Sequence, residues 1–166
     1  MCSSDLRNGS GTSSTIYAYQ NTGSYTLKIG VGATDDSSSG TLIPNAWNHI
    51  ALVRNGSSIY VYLNGVQTNT FTDSTNFSSS TGVYIGSRYS VQQYGIGYVA
   101  DLRVVKGSSV YPSGTTFTPP TTALTAITNT TFLLNSNRIV DTSTNNATPT
   151  IYGSKDRKST RLNSSH

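Results

Sequence analysis

The stretch Trp47 to Val66, WNHIALVRNGSSIYVYLNGV, decides the fold. Ile59, Val61 and Leu63 alternate with Tyr60 and Tyr62, a period of two that puts the aliphatic set on one face of a strand and the tyrosines on the other. Asn55-Gly56 and Asn64-Gly65 each interrupt such a run, and Asn-Gly supplies the positive φ that tight hairpin turns demand. Two such turns nine residues apart imply three consecutive antiparallel strands, a meander.

The same period recurs on both sides. Ile16 and Ala18 alternate with Tyr17 and Tyr19, and Leu27, Ile29 and Val31 with Lys28 and Gly30. Strands are expected near 15–20, 25–31, 47–54, 58–64, 66–71, 82–86, 97–105, 131–134 and 148–152. No stretch longer than ten residues carries a helical stripe free of Gly, Pro or β-branched clusters, so almost no helix is expected. Many short strands with regular turn signals point to a sandwich or barrel. After the strand at 97–105 the chain runs extended to Pro119-Pro120, which cannot continue a central strand. Residues 121–130 read as a Thr-rich linker in which Leu124 and Ile127 pack, and a new pattern opens at Thr131.

Composition narrows the function classes. Of 166 residues, 26 are Ser, 25 Thr, 15 Gly and 14 Asn, and the longest apolar runs are about four residues, so no segment suits a membrane span. The acids are seven Asp with no Glu, against 11 Lys and Arg. The basic residues are scattered, which argues against nucleic-acid binding despite the net charge of +4.

The two ends read differently from the middle. Asp156 to His166, DRKSTRLNSSH, is what one frame of a common short-read sequencing adapter encodes, and Met1 to Leu6, MCSSDL, matches its reverse complement. Residues 1–6 and 156–166 are therefore expected to be adapter-derived, with residues 7–155 as the biological insert. That insert keeps 8 Lys and Arg, 5 Asp and His49, and loses Cys2 and with it any thiol chemistry.

Four motifs then carry a resemblance: W-x-H-I-A-x-V-R-x-G from Trp47, V-Y-I-G from Val83, G-Y-V-A-D-L-R-V-V-K-G from Gly97 and F-T-P-P from Phe117. With them the chain resembles the laminin-G-like jelly-roll domains of the concanavalin A-like lectin/glucanase superfamily. Among these it is most similar to tandem copies in phage virion or tail proteins. The resemblance implies an all-β antiparallel jelly-roll sandwich lacking its first strands, with residues 7–120 as the C-terminal two thirds of one copy. Residues 131–155 would be the first strands of a following copy, or a strand completing the sandwich. It also implies a virion or extracellular location and host-surface glycans, other virion proteins or further copies of the module as partners. An extracellular bacterial adhesin module and a purely architectural spacer are the alternatives.

Catalysis is not expected. Glycosidases need two carboxylates across the scissile bond, and hydrolases of this superfamily carry a Glu-x-Asp-x-x-Glu strand; a chain without Glu has none. His49, beside Trp47 and Ile50 on an expected core strand, reads as structural, without Cys, Glu or a second His in the insert to join it. Calcium is the one candidate cofactor, at two oxygen-rich loops: Asp35 with Asp36, and Asp141 with Asn145 and Asn146. Both also suit ordinary turns whose side chains bond their own backbone. Asp101 and Arg103, two apart in an expected strand, read as a same-face ion pair. Sugar faces stack on aromatic rings; Tyr60, Tyr62, Tyr84 and Tyr98 read as packing residues. The loop Arg88, Tyr89, Gln92, Gln93 and Tyr94 is the expected ligand contact.

Overall fold

The computed structural model describes residues 16–20, 23–31, 34–74, 85, 87–88, 92–94, 97–135 and 139–150, and for 16–20, 31, 34–38, 87–88 and 92–94 the backbone alone. Every regular element among them is a strand and every pairing is antiparallel. The strands are β1 (Ile16–Gln20), β2 (Thr26–Val31), β3 (Thr34–Thr41), β4 (Ile50–Asn55), β5 (Ser58–Leu63), β6 (Val66–Thr72), β7 (Ser87–Arg88), β8 (Gln92–Tyr94), β9 (Leu102–Val105) and β10 (Thr130–Leu134). They form sheets β1-β2-β3 and β4-β5-β6 and the pairs β7-β8 and β9-β10.

The meander β4-β5-β6 is the middle layer. Ile50 pairs with Leu63 and Leu52 with Val61 on one face, and Ala51 pairs with Tyr62 and Val53 with Tyr60 on the other. The first face packs with Leu27 and Ile29 of β2 and with Leu42 and Phe71 to form the main core. Each fully buried side chain among them contributes about 1.5–3 kcal/mol by leaving water. The second face holds a smaller core of Ala51, Val53 and Tyr62, closed by Tyr60, Tyr111 and Phe117. Residues 111–119 thus lie across the outer face of the sheet as a strap. The Tyr62 hydroxyl donates to Pro112 O (2.7 Å) and accepts from Gly114 N (3.1 Å), which satisfies a phenol buried at 0% exposure.

Both expected hairpins form, with different turns. Asn64 (φ 52°) and Gly65 (φ 81°) are both left-handed between the paired Leu63 and Val66, as a type I′ turn requires. At the other hairpin Asn55 still pairs with Ser58, so the loop is Gly56-Ser57 and only Gly56 (φ 60°) is left-handed, the type II′ pattern. Gly65 is fixed further by the strap. A Cβ there would lie 2.0 Å from Phe117 O, and Phe117 N donates to Gly65 O at 2.9 Å.

Several sequence expectations need correcting. Residues 34–41, TDDSSSGT, form β3, so Asp35 and Asp36 lie on a strand and not in a loop. Small residues let β3 come close: Asn69 Nδ2 donates to Ser39 Oγ (3.3 Å), and a Cβ on Gly40 would touch Leu63 and Thr68. The strand expected at 47–54 starts at Ile50, because the Asn48 side chain bonds Ile43 N, Ile43 O and Ala46 O and holds 43–48 as a loop. The strand expected at 97–105 starts at Leu102, since Asp101 has a φ of 53°. Tyr98 is 77% exposed and is no packing residue. Thr148 to Thr150 form no strand. Tyr84 lies outside the described residues.

The segment after the strap returns to the domain. β10 pairs with β9, Leu133 opposite Arg103 and Leu134 opposite Leu102. Within 121–130, Arg103 Nη1 donates to Thr125 O (3.0 Å) and Ile127 N to Thr130 Oγ1 (2.9 Å).

Candidate functional site

An open groove of about 490 Å³ lies where the loop before β4, the β5–β6 turn, the start of β9 and the end of the strap meet. Trp47, His49, Asn64, Asp101, Pro119 and Thr121 are among its walls. Trp47 is 68% exposed, an indole presented to solvent beside polar groups.

Its position follows from the loop beneath it. Pro44 and Asn45 (φ 55°) begin a turn, and the Asn48 amide ties that turn together through Ile43 and Ala46. Asn48 Oδ1 also accepts from Asn64 Nδ2 (3.2 Å), while Asn64 Oδ1 accepts from His49 N (2.8 Å) and Asn64 N donates to His49 O (2.8 Å). Both asparagines are scaffold, and Trp47, Asp101, Pro119, Pro120, Thr121 and Thr122 are among the walls left for a ligand.

His49 forms part of the floor. Its ring meets Tyr111 and Phe117 edge-on, with centroids 5.8 and 5.7 Å away, and Tyr111 and Phe117 stack at 3.8 Å. His49 Nε2 is 3.4 Å from the Tyr111 hydroxyl, and His49 Nδ1 is buried without a hydrogen-bond partner among the described residues. Burial lowers its pKa from 6.5, because the imidazolium is harder to desolvate than the imidazole. Burial also raises the Tyr111 phenol, against an opposing pull from the Arg103 charge and its hydrogen bond. His49 is held by packing on a loop, and not on the core strand expected for it.

The expected ligand loop forms a short hairpin. Arg88 pairs with Gln92 and Ser87 with Tyr94, with Gln93 between them on β8, and Tyr89 lies outside the described residues. Asp101 is not within a strand, so the alternation that placed it on one face with Arg103 does not apply.

Asp141 and Asn145 do come together, around β10. Asp141, 2% exposed, accepts from Leu133 N (2.9 Å) and Ser143 N (2.9 Å) through Oδ1, and from Ser143 Oγ (2.9 Å) and Ala147 N (2.8 Å) through Oδ2. Asn145 Nδ2 donates to Thr131 O at 3.0 Å. Burial alone would raise the carboxyl pKa, but the donors from Leu133, Ser143 and Ala147 outweigh it and hold the group at about 2. A carboxylate offers about four lone-pair sites, and all are taken, so this loop does not fit calcium. No group of three or more His, Cys, Asp or Glu suited to a metal occurs among the described residues.

A laminin-G family model, described as the concanavalin A-like lectin/glucanases superfamily, matches residues 3–109. The chain belongs to this superfamily. The match includes β1 to β9 and the groove residues Trp47, His49, Asn64 and Asp101, while the groove wall at 119–124 and β10 lie beyond it. No curated protein and no solved structure matches the chain. Membership of a lectin-like superfamily supports a carbohydrate-binding or structural module in general terms. The sequence signal that could have exposed the groove was Pro44-Asn45 so close to Trp47, since a chain still turning at 46 does not start its strand at 47.

Proposed function

We propose that this jelly-roll module is a non-catalytic binder of host-surface glycans on a phage virion or tail, with the groove beside Trp47 as its sugar contact. The observation that carries this reading is a 68% exposed indole held on a hydrogen-bonded loop, next to threonine hydroxyls and proline rings. Apolar sugar faces stack on such rings while hydroxyls take polar partners. Among the described residues the groove lining includes one carboxylate, Asp101, where glycoside hydrolysis uses two across the bond.

The test is a glycan array probed with the chain and with Trp47→Ala, followed by titration of any hit. Specific binding lost in Trp47→Ala supports the reading. Binding that survives the substitution moves the contact elsewhere, with the hairpin at Arg88, Gln92, Gln93 and Tyr94 as the next surface to substitute. Absence of any glycan binding by the folded chain overturns the reading and leaves the architectural spacer. Binding to bacterial partner cells through other copies of the module would favour the adhesin alternative.

A further inference from the structure

Two Asn-Gly pairs, Asn55-Gly56 and Asn64-Gly65, sit in the same meander in different environments. Asn55 is exposed at the β4–β5 turn, and among the described residues its amide makes a long contact, Nδ2 to Ser113 Oγ at 3.4 Å. Gly56 lies outside the ladder, whose last pair is Asn55 with Ser58, and a Cβ on Gly56 would meet nothing within 4 Å. The Gly56 carbonyl is held by an exposed side chain, Arg54 Nε at 3.0 Å, and not by the strap.

Asn64 is held by the fold itself. Its Oδ1 holds His49 N at 2.8 Å, its Nδ2 holds Asn48 Oδ1 at 3.2 Å, and the carbonyl of Gly65 accepts from Phe117 N at 2.9 Å. Gly65 is also pressed against the Phe117 carbonyl, so the peptide between 64 and 65 cannot turn without lifting the strap.

We infer that Asn55 is a spontaneous deamidation site with water as its co-reactant, and that Asn64 is protected by its fold. Gly56 N loses its proton and attacks Asn55 Cγ; the new C–N bond closes a succinimide, and Nδ2 leaves as ammonia. Water then opens the ring at either carbonyl, giving aspartate or isoaspartate. One water enters, one ammonia leaves, and no oxidant or reductant is needed. Glycine suits the step because no Cβ shields the attacking nitrogen. The product places a new negative charge facing Ser113. In the isoaspartate form it also puts an extra backbone carbon beside the terminal Asn55–Ser58 pair, so this end of the hairpin frays.

The experiment incubates the full chain in mildly alkaline buffer, folded and in denaturant, and follows both sites by peptide mapping with an isoaspartate-specific methyltransferase assay. In the folded chain, acid at position 55 should accumulate severalfold faster than at position 64. In denaturant the two rates should converge, because both dipeptides are Asn-Gly. Equal rates in the folded chain overturn the inference, as does protection of both sites when folded. A faster Asn64 does so as well. A third Asn-Gly pair, Asn8-Gly9, is read in its own peptide; an Asn55→Gln variant should remove the folded-state signal from the peptide that carries position 55, and its persistence there overturns the inference.

Discussion

Replacing Gly65 by Ala tests how the strap is attached to the sheet, and Gly56→Ala is its internal control. Both glycines are left-handed, at φ 81° and 60°, so each alanine carries a backbone cost of about 1–2 kcal/mol. At Gly56 that is the whole effect, because the new methyl meets nothing within 4 Å. At Gly65 the methyl would sit 2.0 Å from Phe117 O and 2.9 Å from Pro119 Cδ, both in the strap, so the strap must move. Moving it breaks the Phe117 N to Gly65 O hydrogen bond, about 1 kcal/mol, and disturbs the ring contacts of Phe117 with Tyr62 and His49, about 1 kcal/mol. The expected loss for Gly65→Ala is about 3–4 kcal/mol, against about 1–2 for Gly56→Ala. Urea denaturation of both variants, followed by far-ultraviolet circular dichroism, measures the difference. Fluorescence of the single tryptophan, Trp47, reports the groove at the same time. Equal losses for the two variants would refute the docking of strap on turn.

Tyr62→Phe removes a hydroxyl that donates to Pro112 O and accepts from Gly114 N, and should cost about 1–3 kcal/mol in the same denaturation assay. Asp141, with a folded pKa of about 2 against 3.8 unfolded, should contribute about 2 kcal/mol above pH 3.8, lost as pH falls toward 2. Denaturation midpoints measured across that window should fall, and Asp141→Asn should flatten the decline. His49 has its folded pKa below 6.5, so the unfolded chain takes up the proton more readily. Stability should be full above pH 6.5 and decline as pH drops from there to the folded pKa; His49→Gln should lack this decline, as pH-dependent denaturation will show. Trp47→Ala, by contrast, should change stability by less than about 0.5 kcal/mol, since the indole is mostly exposed.

The meander was legible because period-two alternation and Asn-Gly turns agree, and the faces assigned to Ile59, Val61 and Leu63 and to Tyr60 and Tyr62 are the faces found. β3 was not legible. TDDSSSGT has the composition of a loop, and it forms a strand because its backbone completes the ladder to β2 while small residues allow close approach to β5 and β6. Residues 47–49 misled for the opposite reason: an apolar aromatic before an aliphatic run looks like core, yet a side-chain amide, Asn48, competes for the backbone and turns Trp47 outward. Asp101 misled because alternation assumes an extended backbone, which its φ of 53° does not provide. The role of the strap could not be read locally, since Tyr62 and Tyr111 meet across about fifty residues of chain and only the folded sheet brings them together.

The most direct measurement is an NMR titration of the isotopically labelled chain with a glycan hit. The account predicts shifts concentrated at the Trp47 indole N–H, His49, Thr121 and Thr122, with the Tyr62 and Asp141 networks unmoved. Shifts confined to the Arg88–Tyr94 hairpin, or none at the groove, would contradict it.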